Sequence, residues 1–157
     1  MKRVEKIIER RDIMVNDDTI QLLKECNAGI KMGISSIEDV LPMVESNDLK
    51  NKLMKNKERH ERLEEETKEI LNDYDDAGKE PNVFAKAGSW LKTNMKMAMN
   101  PNDATISELM TDGCNMGIKS LNRYLNEYVA AEEKVKDITK KLIHLEQDLL
   151  VDVRDYL

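Results

Sequence analysis

The chain has 157 residues, the size of one domain, of which 36% are charged, 40% apolar and 4% aromatic. Three prolines and six glycines are too few for the tight turns of a β-sandwich or barrel, so the composition favours long helices. A net charge of −6 argues against nucleic acid or an anionic membrane surface as the main partner. Two cysteines make no disulfide framework, and no apolar run approaches the roughly 18 residues of a membrane span. Because Met1, Lys2 and Arg3 lead into further charges rather than a secretory signal, we predict a cytoplasmic, all-helical protein.

The first segment of the chain is a candidate amphipathic helix. Val4, Ile7, Ile8 and Arg11 share one helical face, which predicts a short lead-in that docks on the main body or on a second subunit. Residues 16–18 then offer Asn and Asp side chains as the N-cap of a helix that begins near Thr19. The expected organisation is therefore a lead-in over residues 1–17 and a four-helix-bundle domain over residues 18–157.

Four stretches of the domain carry apolar residues at alternating steps of three and four, which predicts four helices with one inward stripe each. The inward positions expected in the first two are Ile20, Leu23, Asn27, Ile30, Ile34, Ile37 and Leu41, then Leu49, Leu53, Asn56, His60, Leu63, Thr67, Ile70 and Tyr74. Those expected in the last two are Ile106, Met110, Cys114, Gly117, Leu121, Tyr124 and Tyr128, then Val135, Ile138, Leu142, Leu145, Leu149, Val153 and Tyr156.

The second and third helices are joined by roughly residues 76–103, too long a connection for neighbouring antiparallel helices. A short helix lying across the bundle is expected within it, on the apolar positions Val83, Phe84, Ala87, Trp90, Leu91 and Met95. Two hairpins joined by one long crossover make the ferritin-like arrangement of a four-helix bundle. An internal echo favours duplicated hairpins, because residues 26–31 recur as residues 114–119 with five identities in six. The echo has an offset of 88 whereas the apolar stripes superpose at 87, so a slipped duplication and a coincidence both stay open.

On these features the sequence resembles the ferritin-like superfamily over residues 18–157. More narrowly, it is similar to a bacterial branch of duplicated helical hairpins, whose crossover carries a Trp close to a Lys, here Trp90-Leu91-Lys92. The resemblance implies a di-iron or di-manganese centre, with one inward Glu from each of two helices and a Glu-x-x-His from each of the others. The ligands do not match, because Lys57 precedes His60 by three positions and Lys141 precedes His144. The inward stripes of the first and third helices hold no carboxylate, so we expect the metal centre to be lost.

Softer metal sites and thiol chemistry are alternatives to that interpretation. Cys26, Cys114, His60 and His144 lack the short spacing of a zinc motif, and buried thiols usually behave as small apolar groups. Redox chemistry between the thiols of Cys26 and Cys114 is a further alternative to a metal site. Three methionines at 95, 97 and 99 fit a gap-filling role beneath the crossover better than binding of a soft metal.

Four glycines interrupt helix interiors, where each costs about 1 kcal/mol relative to alanine. Gly29 with Gly33, and Gly113 with Gly117, have the Gly-x-x-x-Gly spacing that permits close backbone approach. We expect close packing in place of a metal cavity, with an apolar ligand pocket as the alternative. We also expect Asn27 and the inward His60 to share a direct or water-bridged hydrogen bond that fixes hairpin registry, since unpaired buried polar groups are costly.

No nucleophile–base arrangement or phosphate-binding glycine loop can be assembled from this sequence, so no catalytic, cofactor-binding or metal-binding residue is predicted and no cofactor is expected. The favoured function is a non-enzymatic interaction or structural protein of the cytoplasm, self-associated as a homodimer. Nucleic acid and membrane are not expected partners, and a protein partner stays unidentified. The alternatives are a metal-handling or oxidative-stress protein, as the resemblance implies, and a small-molecule binding bundle with its pocket near Gly117.

Overall fold

A computed structural model describes residues 1–74 and 101–157. Its elements are the helices α1 (Lys2–Val40), α2 (Asn47–Asp73), α3 (Asp103–Glu127) and α4 (Glu133–Val153), with 3-10 turns at Leu41–Met43 and Arg154–Tyr156. No strand occurs in these two ranges, and the four helices pack against one another, so the predicted all-α fold is confirmed. The expected short helix of the connection, with Trp90-Leu91-Lys92 and the three methionines, lies outside the described residues.

The ends of the helices fix the topology of the bundle. Asp103, at the start of α3, accepts hydrogen bonds from the backbone N–H groups of Glu45 and Ser46, at 2.8 and 2.9 Å, in the turn between α1 and α2. At the other end of the bundle, the ammonium of Lys134 near the start of α4 lies 5.5 Å from the ring centroid of Tyr74, which follows α2. The end of α2 and the start of α3 therefore lie at opposite ends of the bundle, and these two helices run in the same direction.

The predicted inward stripes form the core. α1 packs along α2 and α3 along α4, while α2 also contacts α4, and α1 contacts both α3 and α4. Most of the predicted inward positions are buried, among them Leu23, Ile30, Ile37, Leu49, Leu53, His60, Leu63, Ile106, Met110, Leu121, Val135, Ile138, Leu142, Leu145, Leu149 and Val153. The helical phase inferred from the sequence is thus correct for all four helices.

The start of α1 differs from the prediction. The helix begins at Lys2 and continues through residues 16–18, so no N-cap forms there. The carboxylate of Asp18 instead accepts a hydrogen bond from the N–H of Ala130 at 2.9 Å, and the hydroxyl of Thr19 accepts one from the N–H of Glu132, also at 2.9 Å. These side chains therefore bind backbone amides of the α3–α4 connection, which have no helical partner of their own.

Residues 2–14 of α1 form an arm that projects beyond the bundle. Its large apolar side chains are all at least half exposed, namely Val4, Ile7, Ile8, Ile13 and Met14. The predicted docking of this segment on the main body is wrong, because α1 is one continuous helix that carries the segment past the end of the bundle. Within the two described ranges, no helix combines the length and the apolar character that crossing a membrane requires.

Candidate ligand cavity

A cavity of about 190 Å³ lies between α1 and α3. Its walls are largely apolar, and residues of α2 and α4 complete the lining. The lining residues are Glu25, Ala28, Gly29, Met32, Gly33 and Ser36 of α1, His60 of α2, Leu109, Met110, Gly113, Cys114, Met116, Gly117, Ser120, Leu121 and Tyr124 of α3, and Leu142, Glu146 and Leu149 of α4. The expected close packing is found at Gly29, Gly33 and Gly117, which contact side chains of α2 and α4, whereas the alternative, an apolar pocket, is found between α1 and α3.

The four glycines differ in what a Cβ atom at each position would contact. At Gly33 it would meet Nε2 of His60 at 2.7 Å, and at Gly29 it would meet a methyl group of Leu142 at 3.3 Å. At Gly117 it would lie 3.4 Å from the carboxylate of Glu146, whereas at Gly113 nothing lies within 4 Å. Three glycines thus admit side chains from α2 and α4, and the fourth faces open space.

His60 brings an unpaired polar atom to the cavity. Its side chain is completely buried, as predicted, and its Nδ1 lies 3.0 Å from the backbone carbonyl oxygen of Asn56 in the same helix. Nε2 makes no hydrogen bond to any residue that the structure describes. The predicted bond to Asn27 is wrong, although Asn27 is buried, because His60 lies opposite Gly33. The chain reverses at residues 44–46, between the 3-10 turn and α2, so His60 lies opposite Gly33, which is six residues or about 9 Å along α1 from Asn27.

Glu146 is an inward-facing carboxylate that the sequence prediction missed. Its Oε1 atom lies 3.5 Å from Nε2 of His60, and its side chain is only 12% exposed. Burial, with the adjacent charge and hydrogen bond of Glu146, raises the pKa of the Cys114 thiol far above its usual value. The signal was present in the sequence, since Leu142, Glu146 and Leu149 follow the same steps of four and three as the core positions.

A second carboxylate lies at another part of the lining. Burial raises the pKa of Glu25, and a hydrogen bond from the Tyr124 hydroxyl opposes that shift in part. Burial and the Glu25 carboxylate likewise raise the pKa of Tyr124. The cavity is therefore bordered by two acidic side chains, and no Lys or Arg occurs among the described lining residues.

The two cysteines lie in separate parts of the core. Sγ of Cys26 is 2.9 Å from the hydroxyl of Thr139, and burial raises the pKa of this thiol to about 12. Cys26 belongs to the core cluster around Leu22, whereas Cys114 belongs to the one around Ile106, and both thiols are free. This arrangement does not favour redox chemistry between them.

The other candidate ligands do not converge on the cavity. His144 is exposed, as predicted, and its Nδ1 lies 3.1 Å from the side-chain oxygen of Gln147. Lys141 instead binds Glu66 of α2 at 2.9 Å. Among residues 1–74 and 101–157, no group of three or more His, Cys, Asp or Glu side chains is arranged to hold a metal ion.

No family model matches this sequence, and no curated protein or solved structure matches it either. The fold and the cavity define this protein as an all-α bundle of four packed helices with a cavity between α1 and α3.

Proposed function

We propose that this protein is a non-enzymatic small-molecule binding bundle whose ligand occupies the cavity between α1 and α3. The observation that carries the proposal is His60, a completely buried residue of the cavity lining whose Nε2 makes no hydrogen bond within residues 1–74 and 101–157. An unsatisfied buried polar atom costs roughly 1–3 kcal/mol, and a ligand that hydrogen-bonds to it would recover part of that cost. An engineered apolar cavity of about 150 Å³ in another protein binds benzene, so this volume is sufficient for a ligand with one ring.

Binding is favoured over catalysis by the state of the thiols. A cysteine nucleophile reacts as its thiolate, and the pKa of both Cys26 and Cys114 is raised by burial. The thiol nearest the cavity, Cys114, also faces the negative charge of Glu146, which further disfavours its thiolate.

The cavity proposal is tested by filling the space from α3. Because Gly113 lines the cavity and a Cβ there meets nothing within 4 Å in the part of the chain that the structure describes, we expect a Gly113→Leu side chain to occupy the cavity. We expect single-ring probes (toluene, benzyl alcohol, benzylamine and benzoate) to raise the melting temperature of the wild-type protein in at least one case. Gly113→Leu should abolish that rise, whereas Asn115→Leu, on the exposed face of the same helix, should preserve it. Failure of every probe to bind the wild-type protein would refute the proposal.

The finer description of the fold is also a proposal. We infer a ferritin-like bundle of two hairpins joined by a crossover, supported by the opposite positions of the end of α2 and the start of α3. A metal-handling role remains the rival function. Elemental analysis of protein purified without chelator and then dialysed tests it, and we expect no stoichiometric iron, manganese or zinc. About one equivalent per chain that is lost in His60→Ala would favour the rival.

Self-association through the arm is proposed as the basis of a cytoplasmic homodimer. The arm exposes a row of apolar side chains and carries five basic and three acidic residues in a chain of net charge −6, so a second copy offers both an apolar face and opposite charge. Deletion of residues 1–14 should convert a dimer into a monomer by light scattering. An unchanged mass would refute the role of the arm.

A further inference from the structure

We propose that the ligand is an amine with an apolar ring or short chain, whose ammonium head lies between the Glu146 carboxylate and Nε2 of His60. This inference rests on the proposed function, since it concerns the chemistry of a compound bound in the same cavity.

The first step is the hydrogen-bonding state of His60. Nδ1 lies 3.0 Å from the carbonyl oxygen of Asn56, and because a carbonyl oxygen only accepts, Nδ1 carries the hydrogen and donates. In the neutral imidazole Nε2 then presents a lone pair, and among the described residues this atom accepts no hydrogen bond. The cavity therefore offers an acceptor at this point and calls for a donor from the ligand.

The second step is the pairing of that acceptor with Glu146. Oε1 of Glu146 lies 3.5 Å from Nε2 of His60, and an ionised carboxylate is also an acceptor only. One ammonium nitrogen placed between two acceptors at this separation can lie about 2.9 Å from each. Three N–H donors on a primary ammonium satisfy both acceptors and leave one donor over.

The third step is the access that glycine gives to these two atoms. A Cβ at position 33 would stand 2.7 Å from Nε2 of His60, and a Cβ at position 117 would stand 3.4 Å from the Glu146 carboxylate. A side chain at position 33 would collide with the imidazole, and one at position 117 would contact the carboxylate. Glycine on both α1 and α3 therefore gives the side chains of His60 and Glu146 the space to face the cavity.

The fourth step is the charge of the lining. The described lining residues include the carboxylates of Glu25 and Glu146 and no Lys or Arg. An anionic head would meet two like charges in a largely apolar space, whereas a cationic head gains from both. The rest of the lining is mostly apolar and accepts the uncharged body of the ligand.

Calorimetric titration of the wild-type protein with toluene, benzyl alcohol, benzylamine and benzoate tests the inference. These four probes share one ring and differ in the head. Because a hydrogen bond to a charged group contributes more than a neutral one, we expect benzylamine to bind at least about tenfold more tightly than the other three. Benzoate should bind most weakly.

Glu146→Gln keeps the shape of the side chain and removes its charge, and it should lower the affinity for benzylamine by about tenfold or more while leaving that for toluene unchanged. Glu133→Gln is the matched control, since Glu133 is an exposed residue of the same helix, 78% exposed and distant in sequence from the cavity. Circular dichroism verifies that each variant is folded. Should Glu146→Gln fail to fold, Glu146→Asp keeps the charge but withdraws the carboxylate, and should weaken benzylamine selectively.

The outcomes separate the inference from the function on which it rests. Benzoate or toluene binding as tightly as benzylamine, or benzylamine binding unaffected by Glu146→Gln, overturns the amine but leaves the cavity as a binding site. Binding of no probe overturns both.

Discussion

The contrast between Gly33 and Gly113 gives a sharp test of the packing around the cavity. Both are helix-interior glycines that line the same space, and replacement by alanine adds one methyl group at each. In Gly33→Ala the new Cβ stands 2.7 Å from Nε2 and 2.8 Å from Cδ2 of His60, whereas in Gly113→Ala it meets nothing within 4 Å. A retreat of the imidazole would lengthen the 3.0 Å hydrogen bond between its Nδ1 and the carbonyl oxygen of Asn56.

The expected magnitudes follow from two opposing terms. Alanine is favoured over glycine in a helix interior by about 1 kcal/mol, so Gly113→Ala should raise the free energy of unfolding by about that amount. Overpacking of a filled core typically costs about 1–3 kcal/mol, which at Gly33 offsets the gain and leaves a net loss of up to about 2 kcal/mol. The two variants should therefore differ by about 1–3 kcal/mol.

Urea unfolding followed by far-ultraviolet circular dichroism measures both variants. A double-mutant cycle isolates the contact, because in an His60→Ala background Gly33→Ala should become stabilising by about 1 kcal/mol, as Gly113→Ala is in the wild type. In melting temperature each kcal/mol corresponds to roughly 2–4 °C for a domain of this size. Equal stabilisation by the two alanine substitutions in the wild-type background would refute the contact between His60 and α1.

Three other predictions concern the termini of helices, the thiols and the cavity rim. Thr19→Val removes the hydroxyl that accepts from the N–H of Glu132 and should lower the free energy of unfolding by about 1 kcal/mol in urea titrations; no change would show that water replaces the hydroxyl. Because burial raises the pKa of both thiols, Cys26 and Cys114 should react with a thiol reagent at neutral pH only after unfolding, and fast modification of native protein would contradict their burial. Glu25 has a raised pKa, so the folded protein binds more protons than the unfolded chain, and stability from this group is present at low pH and lost as the pH rises above 4.5 through the folded-state pKa. Glu25→Gln should flatten that fall in urea midpoints measured across the range, and an unchanged slope would assign it to other groups.

The sequence was sufficient for four packed helices and for the inward face of each, because the apolar stripes are long and regular, but it wrongly placed a helix start near Thr19, within α1. It was not sufficient for the relative height of the two helices of a hairpin, since the chain reverses at residues 44–46 and His60 lies opposite Gly33 rather than Asn27. The inward positions were chosen by their hydrophobicity, so a buried carboxylate such as Glu146 was missed. Four glycines in two pairs fit close packing and a cavity equally well, and only the positions of their neighbours decide between them.

The arm has a consequence for the hydrodynamics of the molecule. α1 has 39 residues and α2 has 27, so at 1.5 Å per residue α1 is the longer by about 18 Å. A helix about 10 Å wide that protrudes from a bundle adds drag out of proportion to its mass. Even a single chain of 18.1 kDa should therefore elute from a sizing column ahead of compact standards of equal mass. Sedimentation equilibrium, which is independent of shape, distinguishes that elongation from true dimerisation.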